Sequence, residues 1–146
     1  MSLRIRIARD LDAPVSAVPS RAHPGDAGLD LCAALTTWRT IPPHRRETIP
    51  TGWRFEIPTG YVGLVLPRSG LLRSRGVMAG VGVIDAPYRG GVGATMLNTS
   101  DEPHVVKPGE RIAQIVVVRC EDVELVIADD LDATERGANG FGSSGS

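Results

Sequence analysis

Glycine and proline recur along the whole chain, 17 and 11 of them in 146 residues, and cut it into short segments. Punctuation this dense disfavours long helices. Within the segments apolar residues alternate with polar ones: Leu3, Ile5 and Ile7 around Arg4 and Arg6, then Trp53, Phe55 and Ile57 around Arg54 and Glu56. Val62, Leu64 and Leu66 continue the habit. A period of two predicts strands with one buried face. Only residues 110–136 run long without a breaker. There Ile112, Ile115, Val116, Val117, Val118, Val123, Val126 and Ile127 are mostly β-branched, which suits strands. A short helix has room in that stretch, around Leu71 to Arg75, or elsewhere. Many short strands joined by regular turns predict an all-β fold of the jelly-roll type, a distorted barrel or sandwich. No linker and no fixed-period repeat divides the chain, so residues 1–135 read as one domain. The remainder, RGANGFGSSGS over 136–146, is nearly all small residues and reads as a flexible C-terminal arm.

The formal net charge is −1, so no global basic field exists to hold nucleic acid, and an anionic ligand must be met by locally placed arginines. Apolar runs such as Ile115 to Val118 are too short to span a bilayer. The opening MSLRIRIARD has no apolar core of the secretory kind. Cys32 and Cys120 stand far apart with no CxxC partner, which argues against a disulfide scaffold or structural zinc and fits a reducing cytoplasm. Without secretion, the sequon Asn98-Thr99-Ser100 reads as chance. His23, His44 and His104 are scattered beside prolines and are given no metal role.

Several segments carry chemistry as well as a plain structural reading. LPRSG (Leu66 to Gly70) ends an alternating strand with a turn, and Arg68, the Ser69 hydroxyl and the Gly70 amide are also a set that can hold a phosphate. It is no nucleophile elbow, because Pro67 stands where GxSxG has its first glycine. Gly80 to Asn98 reads as a hairpin with Asp85-Ala86-Pro87-Tyr88-Arg89-Gly90 at its tip. An aspartate there is commonly a turn former. Yet glycines at 80, 82, 90, 91 and 93 weaken both arms, which suggests close approach of something flat, such as a base read through main-chain groups. DAGLDL (Asp26 to Leu31) and GERIAQI (Gly109 to Ile115) set polar residues among apolar ones, and Asp30 with Arg111 could be a buried ion pair of purely architectural value. GFGSSG near the C-terminus matches a dinucleotide fingerprint in letters only, since neither a preceding strand nor a following helix accompanies it. Arg136 and Phe141 among those glycines and serines could instead wrap phosphates and cover a base.

Taken in order, DAGLDL, PRSG, GVIDAPYRG, GERIAQIVV and RGANGFGSSG resemble the five motifs of the trimeric dUTPase family and cover nearly the whole chain. The resemblance implies a jelly-roll-like subunit, a homotrimer with active sites between subunits, and a tail that closes over a site made by the others. It implies hydrolysis of dUTP to dUMP and pyrophosphate, limiting uracil in DNA and supplying dUMP for thymidylate synthesis. Carried onto matching positions, Asp85 activates the water that attacks the α-phosphorus. Tyr88 packs against the deoxyribose and leaves no space for a 2′-hydroxyl. Val83, Ile84 and Gly93 pair with uracil through backbone groups. Arg68, Ser69 and Gly70 hold the α- and β-phosphates with Gln114 nearby; Arg136, Gly142, Ser143 and Ser144 engage the γ-end while Phe141 stacks on uracil. Asp30 and Arg111 support the site from behind. Mg2+ is implied too, carried by the triphosphate oxygens and water. Where many relatives have an asparagine contacting uracil, this chain has Ala79, and Pro87 is unusual at the tip; both bear on base selectivity. A dCTP deaminase would need a further glutamate on the strand after the tip, which reads Val92-Gly93-Ala94-Thr95-Met96-Leu97. A non-catalytic, nucleotide-gated relative would have no use for Asp85 and the tail together.

Overall fold

The computed structural model describes residues 2–138. Eleven strands and one short helix follow one another: β1 (Arg6–Arg9), β2 (Leu29–Cys32), β3 (Arg39–Ile41), β4 (Arg46–Pro50), β5 (Trp53–Glu56) and β6 (Tyr61–Leu66); α1 (Ser69–Arg75); then β7 (Val77–Ala79), β8 (Gly82–Ile84), β9 (Gly93–Asn98), β10 (His104–Val106) and β11 (Arg111–Arg119). Pairing is antiparallel throughout. A four-stranded sheet runs β2-β11-β6-β8 and a three-stranded one β4-β9-β7, with two-stranded ribbons β1-β5 and β10-β3 beside them. The two larger sheets form a jelly-roll-like sandwich with no closed barrel. Leu31, Val65, Ile84, Ala113 and Ile115 from one sheet and Ile49, Val77, Ala79, Ala94 and Met96 from the other belong to one buried cluster. Each large side chain buried there contributes about 2 kcal/mol. Among the described residues no helix is long and apolar enough to cross a membrane.

Two expectations from the sequence change in the folded chain. The segment 80–98 is not a simple hairpin: β8 pairs with β6, whereas β9 pairs with β4 and β7. The arms part because Ile84 and Met96 are buried in different sheets. In β6 the core face is Gly63 and Val65, while Val62, Leu64 and Leu66 lie half-buried on the outer face. The register accounts for this. Leu64 faces Val116 of β11 and Val83 of β8, and Val62 faces Val118, so the outer side of the four-stranded sheet is itself apolar. Val83 is 59% and Val118 37% exposed. A sheet with apolar residues on both faces reads as alternation of the wrong phase.

LPRSG does not end in a plain turn. Arg68 is extended (φ −96°, ψ 125°) and serves as the N-cap of α1, which opens at Ser69 and closes on Gly76 in the left-handed conformation (φ 65°). Arg73 and Arg75 in its last turn suit the negative end of the helix dipole. The sequon asparagine has a structural task. Asn98 is buried, and its Nδ2 donates to the carbonyls of Ile41 (3.0 Å) and Glu102 (2.7 Å).

Candidate active site

Strand β11 lies between β2 and β6, with Gln114 opposite Asp30 on one side and Leu66 on the other. That row brings three of the sequence segments together at the edge of the outer face. A cavity of about 440 Å3 opens there, lined by Asp26, Gly28, Asp30, Arg68, Ser69, Gly70, Gln114 and Val116 among others. Arg68 Nε donates to Asp30 Oδ1 at 3.0 Å, and Arg111 Nη1 to Asp30 Oδ2 at 3.3 Å. Asp30 is mostly enclosed, its side chain 14% exposed, but that of Arg111 is 55% exposed, so the pair is not a buried one. One carboxylate thus orients two guanidiniums. Arg68 Nη1 also donates to the Arg111 carbonyl at 3.4 Å. Ser69 and Gly70 begin α1, where first-turn amides have no intrahelical acceptor.

Gln114 Nε2 donates to the Pro67 carbonyl at 3.0 Å and so ties β11 to the start of this turn. Its Oε1 fills the place where a side chain at position 28 would begin, which explains the glycine in DAGLDL. Nothing in the sequence marks Gly28 for this part. Cys32, close to Asp30, has its thiol pushed up by burial and further by the Asp30 charge, so it stays protonated.

Asp85 and Tyr88 lie elsewhere. β8 is the edge of its sheet, and the chain leaves it at Asp85, an exposed residue whose carbonyl accepts from Tyr88 N–H at 3.0 Å. The Asp85 carboxylate has no hydrogen bond or ion pair among the described residues. Tyr88 donates its hydroxyl to the Gly91 carbonyl at 3.0 Å, which fixes the ring against its own turn. The β6–β8 register, continued by one residue, sets Asp85 opposite Val62, at the far end of β6 from Arg68. At about 3.3 Å per strand residue this is a separation of roughly 20 Å. On one chain Asp85 and the cavity at Arg68 therefore stand apart.

The other sequence candidates divide. Among the described residues Val83 and Ile84 keep one unpaired backbone edge, because β8 has β6 on one side only. Gly93 pairs with Pro50, and a side chain there would begin against the chain's own Thr48 Cγ2 and Ile49 carbonyl. Gly90 and Gly91 are likewise approached by Tyr88 and Asp10. The glycines thus serve internal packing as well. Ala79 is fully buried in the core, opposite Met96 of β9, and does not line the cavity. Arg136 is exposed, in the irregular segment after β11. Phe141, Gly142, Ser143 and Ser144 lie outside the described residues. So does most of the expected arm at 136–146. Among the described residues no three His, Cys, Asp or Glu side chains converge.

Known proteins are similar to this chain in sequence and in fold. The dUTPase family model matches residues 15–145. The deoxyuridine 5'-triphosphate nucleotidohydrolase of Beijerinckia indica is 46% identical over 146 residues, covering 97% of this chain and 91% of that protein. The same-named protein of Gloeobacter violaceus is 43% identical, over 97% of each chain. The solved Staphylococcus bacteriophage 80alpha dUTPase with dUPNHPP superposes with a TM-score of 0.85 at 29% identity, covering 99% of this chain and 100% of that one. The chain belongs to the dUTPase family.

Proposed function

We propose that this protein hydrolyses dUTP to dUMP and pyrophosphate in a homotrimer, by attack of an Asp85-activated water on the α-phosphorus. The observation that carries the reading is the pair of half-sites: a cationic cavity at Arg68, Ser69 and Gly70, and a distant unpartnered carboxylate at Asp85. Each is useless alone, and a second copy can supply what the first lacks. The apolar outer face formed by Val62, Leu64, Val83, Val116 and Val118 runs into the cavity at Val116, so a neighbour covering that face arrives at the phosphate groups. Large exposed apolar patches of this kind mark protein contacts, and closed rotational symmetry is their usual resolution.

In this mechanism Arg68, with Ser69 and Gly70, grips the α- and β-phosphates, and Asp30 holds its guanidinium in place while Arg111 shares the same carboxylate. Asp85 accepts the proton of the attacking water. The Tyr88 ring, fixed by its hydroxyl, bars a 2′-hydroxyl by contact. The open edge of β8 at Val83 and Ile84 reads uracil through main-chain groups, with Gly93 beside it. With Ala79 committed to the core, base selection falls to backbone and shape. Arg136 and the tail residues Phe141, Gly142, Ser143 and Ser144 close over the γ-phosphate and the base.

Magnesium suits this site as a passenger of the substrate. Asp30 is already engaged by two arginines, and Asp26 Oδ2 accepts from His23 N–H at 2.9 Å. The triphosphate oxygens and water then hold the ion. When bound it neutralises phosphate charge. Removal of dUTP would limit uracil in DNA, and the dUMP formed would feed thymidylate synthesis, in the cytoplasm.

Pyrophosphate release with magnesium, measured on dUTP, dTTP, dCTP and UTP side by side, tests the reading. Turnover of dUTP alone is the expected result. Turnover of several nucleotides would keep the chemistry and remove the selectivity, and binding of dUTP without turnover would make the protein a nucleotide-gated regulator.

A further inference from the structure

The turn that carries Asp85 and Tyr88 is exposed, yet it is held at several points by one neighbouring side chain. Arg89 Nη1 donates to the Ala86 carbonyl at 2.6 Å and to the Tyr88 carbonyl at 2.8 Å. This guanidinium is itself anchored. Its Nη2 lies 3.7 Å from Glu56 Oε1, and Glu56 Oε2 is bound by Arg6 Nε at 2.8 Å. Arg6 and Glu56 face each other in the β1–β5 ribbon, so the carboxylate is held by a ladder and not by a loop. The same ribbon touches the turn a second time. Asp10, just after β1, places its carboxylate where a side chain at Gly91 would begin, and its N–H donates to the Gly52 carbonyl at 2.9 Å.

We infer that Arg89 and Glu56 are positioning residues that clamp the Asp85–Tyr88 turn to the β1–β5 ribbon, setting both the water-activating carboxylate and the ring that excludes ribose. This rests on the roles proposed above for Asp85 and Tyr88. A single exposed ion pair adds little to stability. Placement of a reacting group is another matter, since a shift of about 1 Å can cost on the order of a hundredfold in rate. The clamp therefore acts on kcat and on sugar selectivity, and hardly on melting.

The test compares Arg89→Ala, Glu56→Ala, the double variant and Arg89→Lys in the full chain, with dUTP and UTP as substrates. Each alanine variant is expected to lower kcat for dUTP by roughly tenfold. KM should stay within about twofold and the preference for dUTP over UTP should shrink. The double variant should be no worse than Arg89→Ala, because the two side chains act as one unit. Lysine should restore only part of the loss, having no fork to reach the two carbonyls and Glu56 at once. Unchanged kcat and selectivity in both single variants would overturn the clamp. So would a loss of activity that merely follows a fall in melting temperature at constant selectivity. Amide hydrogen exchange over residues 85–91 separates this inference from the catalytic reading. Faster exchange in both single variants supports the clamp even if the wild type left dUTP intact, which would sink only the roles of Asp85 and Tyr88. Unchanged exchange sinks the clamp itself.

Discussion

At the scale of single residues, Asp85 and Asp30 show how position divides labour between two carboxylates. Asp30 is enclosed and engaged by two guanidiniums, so it is a holder of charge. Asp85 is exposed and unpartnered among the described residues, which leaves it open to the role proposed for it. Asp85→Asn should lower kcat about a thousandfold while KM for dUTP moves little; a parallel loss of nucleotide affinity would make Asp85 a structural turn residue. His104 offers a prediction about pH. It is buried, its Nε2 lacks a hydrogen-bond partner among the described residues, and burial lowers its pKa from 6.5, opposed by Glu110 and assisted by Arg75. The folded protein thus takes up the proton less readily than the unfolded chain. Stability is full above pH 6.5 and declines as the pH falls below it toward the lower folded-state value. His104→Leu should flatten the fall in melting temperature between pH 7.5 and 5.5. An equally steep fall in the variant would clear His104 of the effect. Side chains of this scale are partly legible in sequence: Arg68, Asp30 and Gln114 stand in segments that carry chemistry, whereas Glu56 shows only as a polar residue of an alternating strand, and nothing marks Asp10 or Gly28. Their value lies in contacts to residues distant along the chain, and no local pattern marks those.

At the scale of elements, the turns and the short strands follow from glycine, proline and alternation, and β5 and β6 lie where the alternation puts them. Pairing does not follow. The segment 80–98 looks local because its two arms flank a tip, yet the arms join different sheets. A two-residue period names the faces of a strand but not its neighbour. The stretch after β11 also departs from expectation. Val123, Val126 and Ile127 are β-branched, but residues 120–138 form no strand and are exposed. Because this segment adds nothing to the buried cluster, removing everything from Arg136 onward should leave folding and assembly intact. Turnover should nearly vanish, since the tail is assigned the γ-phosphate and the base. Sedimentation and pyrophosphate release on the truncated protein check both halves, and normal turnover would take the tail out of the mechanism.

At the scale of the whole molecule, the roughly 20 Å between Arg68 and Asp85 is the governing fact. If sites form between copies, two dead variants should rescue each other. Co-expressed Arg68→Ala and Asp85→Asn subunits should regain up to about a quarter of wild-type activity, the share of interfaces that combine an intact Arg68 with an intact Asp85 in a random closed trimer. No rescue would mean that one chain completes a site by itself. A charge on the outer face, as in Leu64→Glu, should dissociate the assembly and abolish activity together. The sequence by itself determined the all-β class, the positions of the turns and the residue types able to grip phosphate and activate water, because these depend on local backbone preference and side-chain chemistry. Tertiary structure alone decided which strands pair, that Ala79 belongs to the core, that Asp30 serves two arginines, and that the Arg68 cavity and Asp85 stand apart on one chain. Those outcomes depend on long-range register and on which sheet face is left uncovered, and the energy of such contacts is shared between segments that are strangers in sequence.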